Sequence, residues 1–219
     1  MSIATDAHLL LRVPKTGTTE AAARMRASHG ACEPYRASHA PLSWLREHHP
    51  QLVEGKLVFT LVREPWSWYG SFFLHLCRIG IEQDGGFEAW LERVTSAAEH
   101  RPFSEPPNTG IHWRSIGDGS RGLCTGCHDW ITEGHAMAFI ATDRLHEGLT
   151  ALLGEAETMP DPIDRNERAH NGPASFGGRS YAEVYDQRMI GLVARADAGL
   201  IERFGFEPFR PSPQALYHG

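Results

Sequence analysis

The segment 8–20 predicts a strand, a tight loop and a helix in immediate succession. An apolar run ending at Pro14 is followed by Lys-Thr-Gly-Thr-Thr (residues 15–19, here called the lysine loop) and then by Ala- and Arg-rich helix formers. A loop at a helix N-terminus presents free backbone N–H groups and the positive end of the helix dipole, which attract an anion. Gly17 allows close backbone approach, the threonine hydroxyls add donors and Lys15 adds charge. The segment therefore predicts a phosphate-binding loop.

The rest of the chain alternates between strand and helix patterns. Strands are predicted at 9–13, 56–62 (buried on both faces) and 137–141, and helices at 20–28, 41–48, 65–76, 87–98, 143–153 and 181–204. Thr142 or Asp143 is expected to cap the helix at 143–153, and Gly205 to end the last helix. This alternation predicts one α/β domain spanning residues 1–219, with a mainly parallel sheet covered by helices.

Composition narrows the function classes. The formal net charge of −6 argues against general nucleic-acid binding, so a basic site must be local. No apolar run approaches the roughly 20 residues of a membrane span. Asp6 and His8 interrupt the pattern of a secretory signal, so a cytoplasmic location is expected. Four cysteines in 219 residues do not indicate a disulfide scaffold.

The lysine loop differs from the phosphate loop of nucleotide triphosphatases, G-x-x-x-x-G-K-[ST]. It lacks the first glycine, and Lys15 precedes Gly17 by two positions. Such enzymes also need a carboxylate for magnesium after a second strand, where this chain has Arg63. Asp143 follows another apolar run, so an atypical nucleotide kinase or NTPase remains an alternative. The arginine favours a second anion over a metal.

Two motifs resemble the sulfotransferases that use 3′-phosphoadenosine 5′-phosphosulfate (PAPS). Residues 14–19 are similar to their 5′-phosphosulfate loop. Residues 62–73 are similar to their 3′-phosphate motif, with Arg63 at a strand end, Pro65, and Ser71 eight positions after the arginine. Weaker similarity to bacterial and carbohydrate sulfotransferases is found at Asn171 and in residues 139–149, 179–185 and 198–206.

The resemblance implies a three-layer, P-loop NTPase-like sulfotransferase fold. It implies transfer of a sulfuryl group from PAPS to a hydroxyl of a carbohydrate or small-molecule acceptor, without a metal. The implied PAPS-binding residues are Lys15, Thr16, Gly17, Thr18, Thr19, Arg63 and Ser71. Lys15 is also the expected catalytic cation, because it can follow charge onto the bridging oxygen of the leaving phosphate.

His39 is the predicted general base. Residues 37–45 are similar to the catalytic-histidine segment of the uronosyl 2-O-sulfotransferases, which also lies between the two anion motifs. An imidazole titrates near neutral pH and is suited to take a hydroxyl proton. Glu20, Glu33 and His29 remain alternatives.

Several aromatic and basic residues have both a structural and a binding interpretation. Trp66, Trp68 and Tyr69 are either core residues or a shelf for adenine. The segments 80–122 and 155–180 are predicted acceptor-side loops, the latter a flap. Further candidates for phosphate or acceptor contacts are Arg168, Arg179, Ser180, Trp90, Trp113, Arg101 and Arg114.

Cys124-Thr-Gly-Cys127-His128 matches the haem-attachment pattern C-x-x-C-H. Unliganded thiols are the favoured interpretation. A zinc site completed by His112 or His135 is an alternative, and haem a weaker one. A catalytically silent nucleotide- or metal-binding module is the third functional alternative for the whole chain.

Overall fold

The computed structural model describes residues 2–29, 39–80, 86–96, 122–135, 137–154, 176 and 181–210. The described residues form two compact units. The first draws on Met1–Arg63 and Cys127–Ile163, and the second on Glu64–Pro102, Arg114–Gly126 and Asp164–Gly219. The expectation of one domain over residues 1–219 stays a prediction.

The first unit contains a four-stranded mixed sheet in the order β1-β2-β3-β4. The strands are β1 Ile3–Ala4, β2 His8–Leu11, β3 Leu57–Val62 and β4 Ala138–Ala141. β1 is antiparallel to β2, whereas β2, β3 and β4 are parallel. The predicted α/β class and mainly parallel sheet are confirmed, and β1 was not predicted.

Helices flank this sheet and make up most of the second unit. They are α1 Thr18–His29, α2 Leu42–His48, α3 Pro65–Arg78, α4 Gly86–Thr95, α5 Leu123–Thr132, α6 Leu145–Leu153, α7 Tyr181–Val184, α8 Gln187–Ala196 and α9 Ala198–Phe204. None of the helices in the described part of the chain is long and apolar enough to cross a membrane.

The core of the first unit joins the strands to two helices. Phe59, Leu61 and Ile140 of the sheet pack with Met25 of α1 and Leu149 of α6. Burial of such side chains is the main stabilising term, at about 1.5–3 kcal/mol each. This packing anchors α1 and α6 against the strands, and it thereby fixes the loops that leave the strand ends.

The core of the second unit is aromatic. Trp66, Trp68 and Tyr69 on α3 are at most 1% exposed. Trp68 stacks on Phe72 with ring centroids 4.8 Å apart, and Trp90 of α4 packs in the same cluster. Trp66 stacks on Phe209, while Trp68 and Tyr69 pack within the cluster, so the core interpretation of Trp66, Trp68 and Tyr69 holds. Trp90, an expected acceptor-side residue, is also fully buried.

A buried carboxylate accepts several hydrogen bonds in the second unit. Asp197 accepts hydrogen bonds from Tyr69 Oη (2.8 Å) and from Thr125 N (2.7 Å) and Oγ1 (2.6 Å). Tyr69 Oη in turn accepts from Leu123 N at 2.9 Å. Two otherwise unpaired amides at the start of α5 are therefore satisfied by residues from elsewhere in the chain. Burial raises the pKa of Asp197, and burial, followed by the charge of Asp197, raises the pKa of Tyr69.

The structure corrects two predictions about secondary structure and adds a helix that was not predicted. The helix expected over 181–204 is divided into α7, α8 and α9, because Asp186 caps α8 by accepting from Met189 N at 2.7 Å and Asp197 starts α9. Gly205 ends α9 in the left-handed conformation, as predicted. α5 was not predicted. The strand expected to be buried on both faces is buried only from Phe59 to Val62, since Leu57 at the start of β3 is 45% exposed.

The predicted cap of α6 is also wrong. Thr142–Arg144 forms a 3-10 turn, and α6 starts after Arg144 without a side-chain cap hydrogen bond. Asp143 is exposed in this turn. The hydroxyl of Thr142 instead donates to backbone carbonyls of two other segments.

Candidate anion-binding site

Three parallel strands of the first unit end at the same edge of the sheet. The register pairs Leu11 of β2 with Thr60 of β3, and Val62 of β3 with Ala141 of β4. The lysine loop follows β2, Arg63 follows β3 and Thr142 follows β4. In open α/β sheets, ligands bind outside the carboxyl ends of the strands. The sheet thus brings two predicted site elements to the edge where a ligand is expected.

The lysine loop turns by means of two residues with positive φ. Gly17 has φ 84° and Lys15 has φ 63°. A Cβ atom on Gly17 would lie 3.2 Å from Thr142 Cγ2 and 3.9 Å from Leu61 Cδ1. Gly17 is therefore required both by its backbone angle and by its close neighbour. The left-handed conformation of Lys15 was not predicted, and it costs a non-glycine residue about 1–2 kcal/mol.

The loop leads directly into the N-terminus of α1. Glu20 N and Ala21 N are the first amides of α1 that bond back to the loop, and they donate to Gly17 O at 3.0 and 3.3 Å. The amides of Thr18 and Thr19 precede them and have no acceptor within the helix. They are the N–H groups that an anion at this helix end would contact.

The three loop threonines differ in what their hydroxyls contact. Thr16 is fully buried, and its Oγ1 donates to Val13 O at 2.9 Å. Thr18 Oγ1 and Thr19 Oγ1 accept from the Arg12 guanidinium at 3.5 and 3.0 Å. A hydroxyl that accepts a bond retains its own proton for donation. The expected three hydroxyl donors are therefore reduced to two, and Thr16 can offer an anion only its backbone N–H.

Arg12 is a cation of this site that the sequence reasoning missed. Its side chain lies along the first turn of α1, and its pKa is lowered by burial and then by repulsion from Arg26. A guanidinium stays charged despite such a shift. Arg12 directly follows β2 just as Arg63 directly follows β3. The predicted strand at 9–13 placed Arg12 inside the strand, whereas β2 ends at Leu11, and this boundary hid Arg12 from the strand-end argument that singled out Arg63.

Arg63 contacts the lysine loop. Its Nη1 donates to Lys15 O at 3.2 Å, and the guanidinium is partly exposed. A guanidinium has five N–H donors in a planar fork, a geometry that matches the oxygens of an anionic group such as a phosphate. Two predicted site elements separated by more than forty residues in sequence thus meet within the first unit.

His39 lies beside the same loop. Its Nδ1 is 2.6 Å from Arg12 O. A carbonyl only accepts, so Nδ1 carries the proton and Nε2 of the neutral ring carries the lone pair. This tautomer is the one that a general base acting through Nε2 requires. Of the alternatives, Glu20 forms an ion pair with Arg24 at 2.8 Å. Glu33 and the side chain of His29 lie outside the described residues.

Comparison with models of protein families, with curated proteins and with solved structures gave no match. What the site can bind therefore follows from its own residues. They are the cations Arg12, Lys15 and Arg63, the first-turn amides and hydroxyls of α1, and a histidine held by a backbone carbonyl. This donor set suits a ligand with more than one anionic group.

The remaining predicted site residues are not among those that the structure describes in the first unit. Ser71 lies on α3 in the second unit and is 5% exposed. Its predicted meeting with Arg63 stays a prediction. The other candidates lie outside the described residues, namely Arg101, Trp113, Arg114, Arg168, Arg179 and Ser180.

The cysteine motif lies on α5. Cys124, Cys127 and His128 are at most 1% exposed. Within the described ranges, no group of three or more His, Cys, Asp or Glu residues could hold a metal ion. His135 forms a hydrogen bond with Arg46 at 2.9 Å, and His112 lies outside the described residues.

Proposed function

We propose that the protein is a PAPS-dependent sulfotransferase acting on a hydroxyl of a carbohydrate or small-molecule acceptor. The observation that carries the proposal is the 3.2 Å contact between Arg63 Nη1 and Lys15 O. It joins the two motifs that resemble the 3′-phosphate and 5′-phosphosulfate elements of this family. A donor with two separate anionic groups needs two such elements side by side.

The residues fit the donor's charge. One anion-binding group lies at the N-terminus of α1. It consists of Lys15, Arg12, and the amides and hydroxyls of Thr18 and Thr19. Arg63 belongs to a second anion-binding group. Arg63 also occupies the strand end where a magnesium-dependent enzyme would carry a carboxylate. The donor supplies the sulfuryl group, and the chain supplies charge and proton transfer.

His39 acts as the general base in this proposal. Its Nε2 takes the proton of the acceptor hydroxyl as the acceptor oxygen bonds to sulfur and the bond from sulfur to the bridging oxygen breaks. The hydrogen bond to Arg12 O holds the ring in the tautomer that can accept this proton. Lys15 stabilises the negative charge that moves onto the bridging oxygen as 3′-phosphoadenosine 5′-phosphate leaves.

Thermal unfolding with different nucleotides tests the proposal. A ligand at 100 times its Kd stabilises the native state by about 2.7 kcal/mol. We expect 3′-phosphoadenosine 5′-phosphate to raise Tm more than ADP, or ATP with Mg²⁺, and Arg63→Ala to abolish the rise. Arg46→Ala is the matched control, since Arg46 is exposed on α2 and contacts His135. Preference for ATP with Mg²⁺, or stabilisation by none of these ligands, would overturn the proposal.

A further inference from the structure

We propose that Thr142 is a positioning residue that fixes the spacing between the two anion-binding elements. The inference rests on the proposed function. Thr142 follows β4, and its side chain reaches the lysine loop at Thr16 and the end of β3 at Val62. Its hydroxyl bonds to the backbone carbonyls of Thr16 and Val62, so it acts on the two elements through their backbone.

The hydroxyl of Thr142 joins two segments. Its Oγ1 lies 2.8 Å from Thr16 O and 2.9 Å from Val62 O. A hydroxyl has one proton, so the two carbonyls share a single donor. Thr16 is next to Lys15, and Val62 is next to Arg63. One side chain thus links the backbone on either side of the contact between Arg63 and Lys15 O.

The methyl group of Thr142 has a separate contact. Its Cγ2 lies 3.2 Å from the position of a Cβ on Gly17, so the methyl packs beside the turn of the lysine loop. Serine would keep the hydroxyl and lose this packing. Valine would keep the shape and lose the donor. The two functions of the side chain can therefore be separated by substitution.

Loss of the hydroxyl has a specific consequence for ligand binding. Without it, two carbonyls lose a donor, and one of the bonds that tie the lysine loop to the end of β3 is lost while the bond from Arg63 Nη1 to Lys15 O remains. A ligand that bridges both elements must then order them on binding, and its affinity falls. A ligand that uses the lysine loop alone does not need the fixed spacing. A positioning role is thus indicated by a loss of affinity that is selective for the ligand with two anionic groups.

Calorimetric titration of three variants tests this signature. The probes are 3′-phosphoadenosine 5′-phosphate, with phosphates for both elements, and AMP, with one. We expect Thr142→Val to lower the affinity for the bisphosphate roughly tenfold, which corresponds to about 1.4 kcal/mol. We expect the same substitution to lower the affinity for AMP less than roughly twofold. Thr142→Ser should restore bisphosphate affinity. The matched control is Thr60→Val, because Thr60 Oγ1 donates to Leu11 O at 2.7 Å within the sheet.

Each outcome decides between the inference and the proposed function. If the unmodified protein does not bind the bisphosphate, the proposed function fails. If the unmodified protein binds the bisphosphate, two results overturn the positioning role. Either Thr142→Val binds the bisphosphate as tightly as the unmodified protein does, or it loses affinity equally for both probes. The positioning role is also overturned if Thr142→Ser loses as much bisphosphate affinity as Thr142→Val, or if Thr60→Val shows the same selective loss. Should Thr142→Val not fold, Thr142→Ala is compared with Thr142→Ser by the same criteria.

Discussion

Nδ1 of His39 lies 2.6 Å from the carbonyl oxygen of Arg12, the first residue after β2. The side chain of the same arginine bonds to Thr18 and Thr19 at the start of α1. Arg12 therefore contacts the candidate base with its backbone carbonyl and the first turn of α1 with its guanidinium. The candidate base and the lysine loop are linked because one residue contacts both.

Removal of the His39 imidazole should abolish base catalysis without affecting donor binding. We expect His39→Ala to lower turnover by ~10²-fold or more. Titration with 3′-phosphoadenosine 5′-phosphate should give an unchanged Kd. His48→Ala is the control, because His48 lies at the end of α2 and stacks on Trp44. Near-normal turnover in His39→Ala would exclude the role of general base.

Substitution of Gly17 should cost more than substitution of another glycine with positive φ. Gly17→Ala combines a φ of 84° with a Cβ contact 3.2 Å from Thr142 Cγ2. Gly55→Ala has φ 70° and no atom within 4 Å of the new Cβ. We expect about 1–2 kcal/mol lost in both from the backbone, with a further loss and weaker bisphosphate binding only in Gly17→Ala. Equal effects in urea unfolding and titration would show that the close contact is unimportant.

Asp197 should make stability depend on pH. Burial raises the pKa of its carboxyl, although bonds from Thr125 and Tyr69 oppose the shift. A carboxyl that binds its proton more tightly in the folded state stabilises the fold below its ordinary pKa of about 3.9. That stabilisation is lost as pH rises through the raised pKa. The free energy of unfolding of the unmodified protein should thus fall, relative to Asp197→Asn, from acid towards neutral pH. Denaturation followed by tryptophan fluorescence measures the difference, and a flat or rising difference contradicts the prediction.

The hydroxyl of Tyr69 should contribute more to stability than that of Tyr185. Tyr69→Phe removes a donor to Asp197 and an acceptor for Leu123 N, so two buried polar groups lose a partner. The expected cost is about 1–3 kcal/mol. Tyr185→Phe removes only a bond to Trp66 O, a carbonyl within α3 that the helix also bonds. A smaller loss for Tyr69→Phe than for Tyr185→Phe in chemical denaturation would contradict this ranking.

The sequence predicted those features that depend on neighbouring residues. The apolar runs before Pro14 and Arg63 became parallel strands β2 and β3, and the first helix follows the lysine loop as expected. Pro65 starts α3 and Gly205 ends α9. Hydrophobic periodicity, proline and glycine act over a few residues, so they can be read without knowing the fold.

Features that depend on distant contacts were not predicted. Thr142 or Asp143 was expected to cap α6, but the hydroxyl of Thr142 donates to Thr16 O and Val62 O. Asp197 interrupts a helical pattern because its carboxylate accepts bonds from Thr125 and Tyr69. Local capping and long-range bonding use the same donors and acceptors, and burial of the distant partner decides between them.

The sequence by itself determined that a glycine-containing loop leads into a helix and that an arginine follows the next buried strand. Only the tertiary structure decided that Arg63 contacts Lys15 O, that Arg12 holds His39, and that Thr16 directs its hydroxyl inward. The physical reason is the parallel register of the sheet. It aligns strand ends that are far apart in the chain, and no local pattern encodes which side chains then meet.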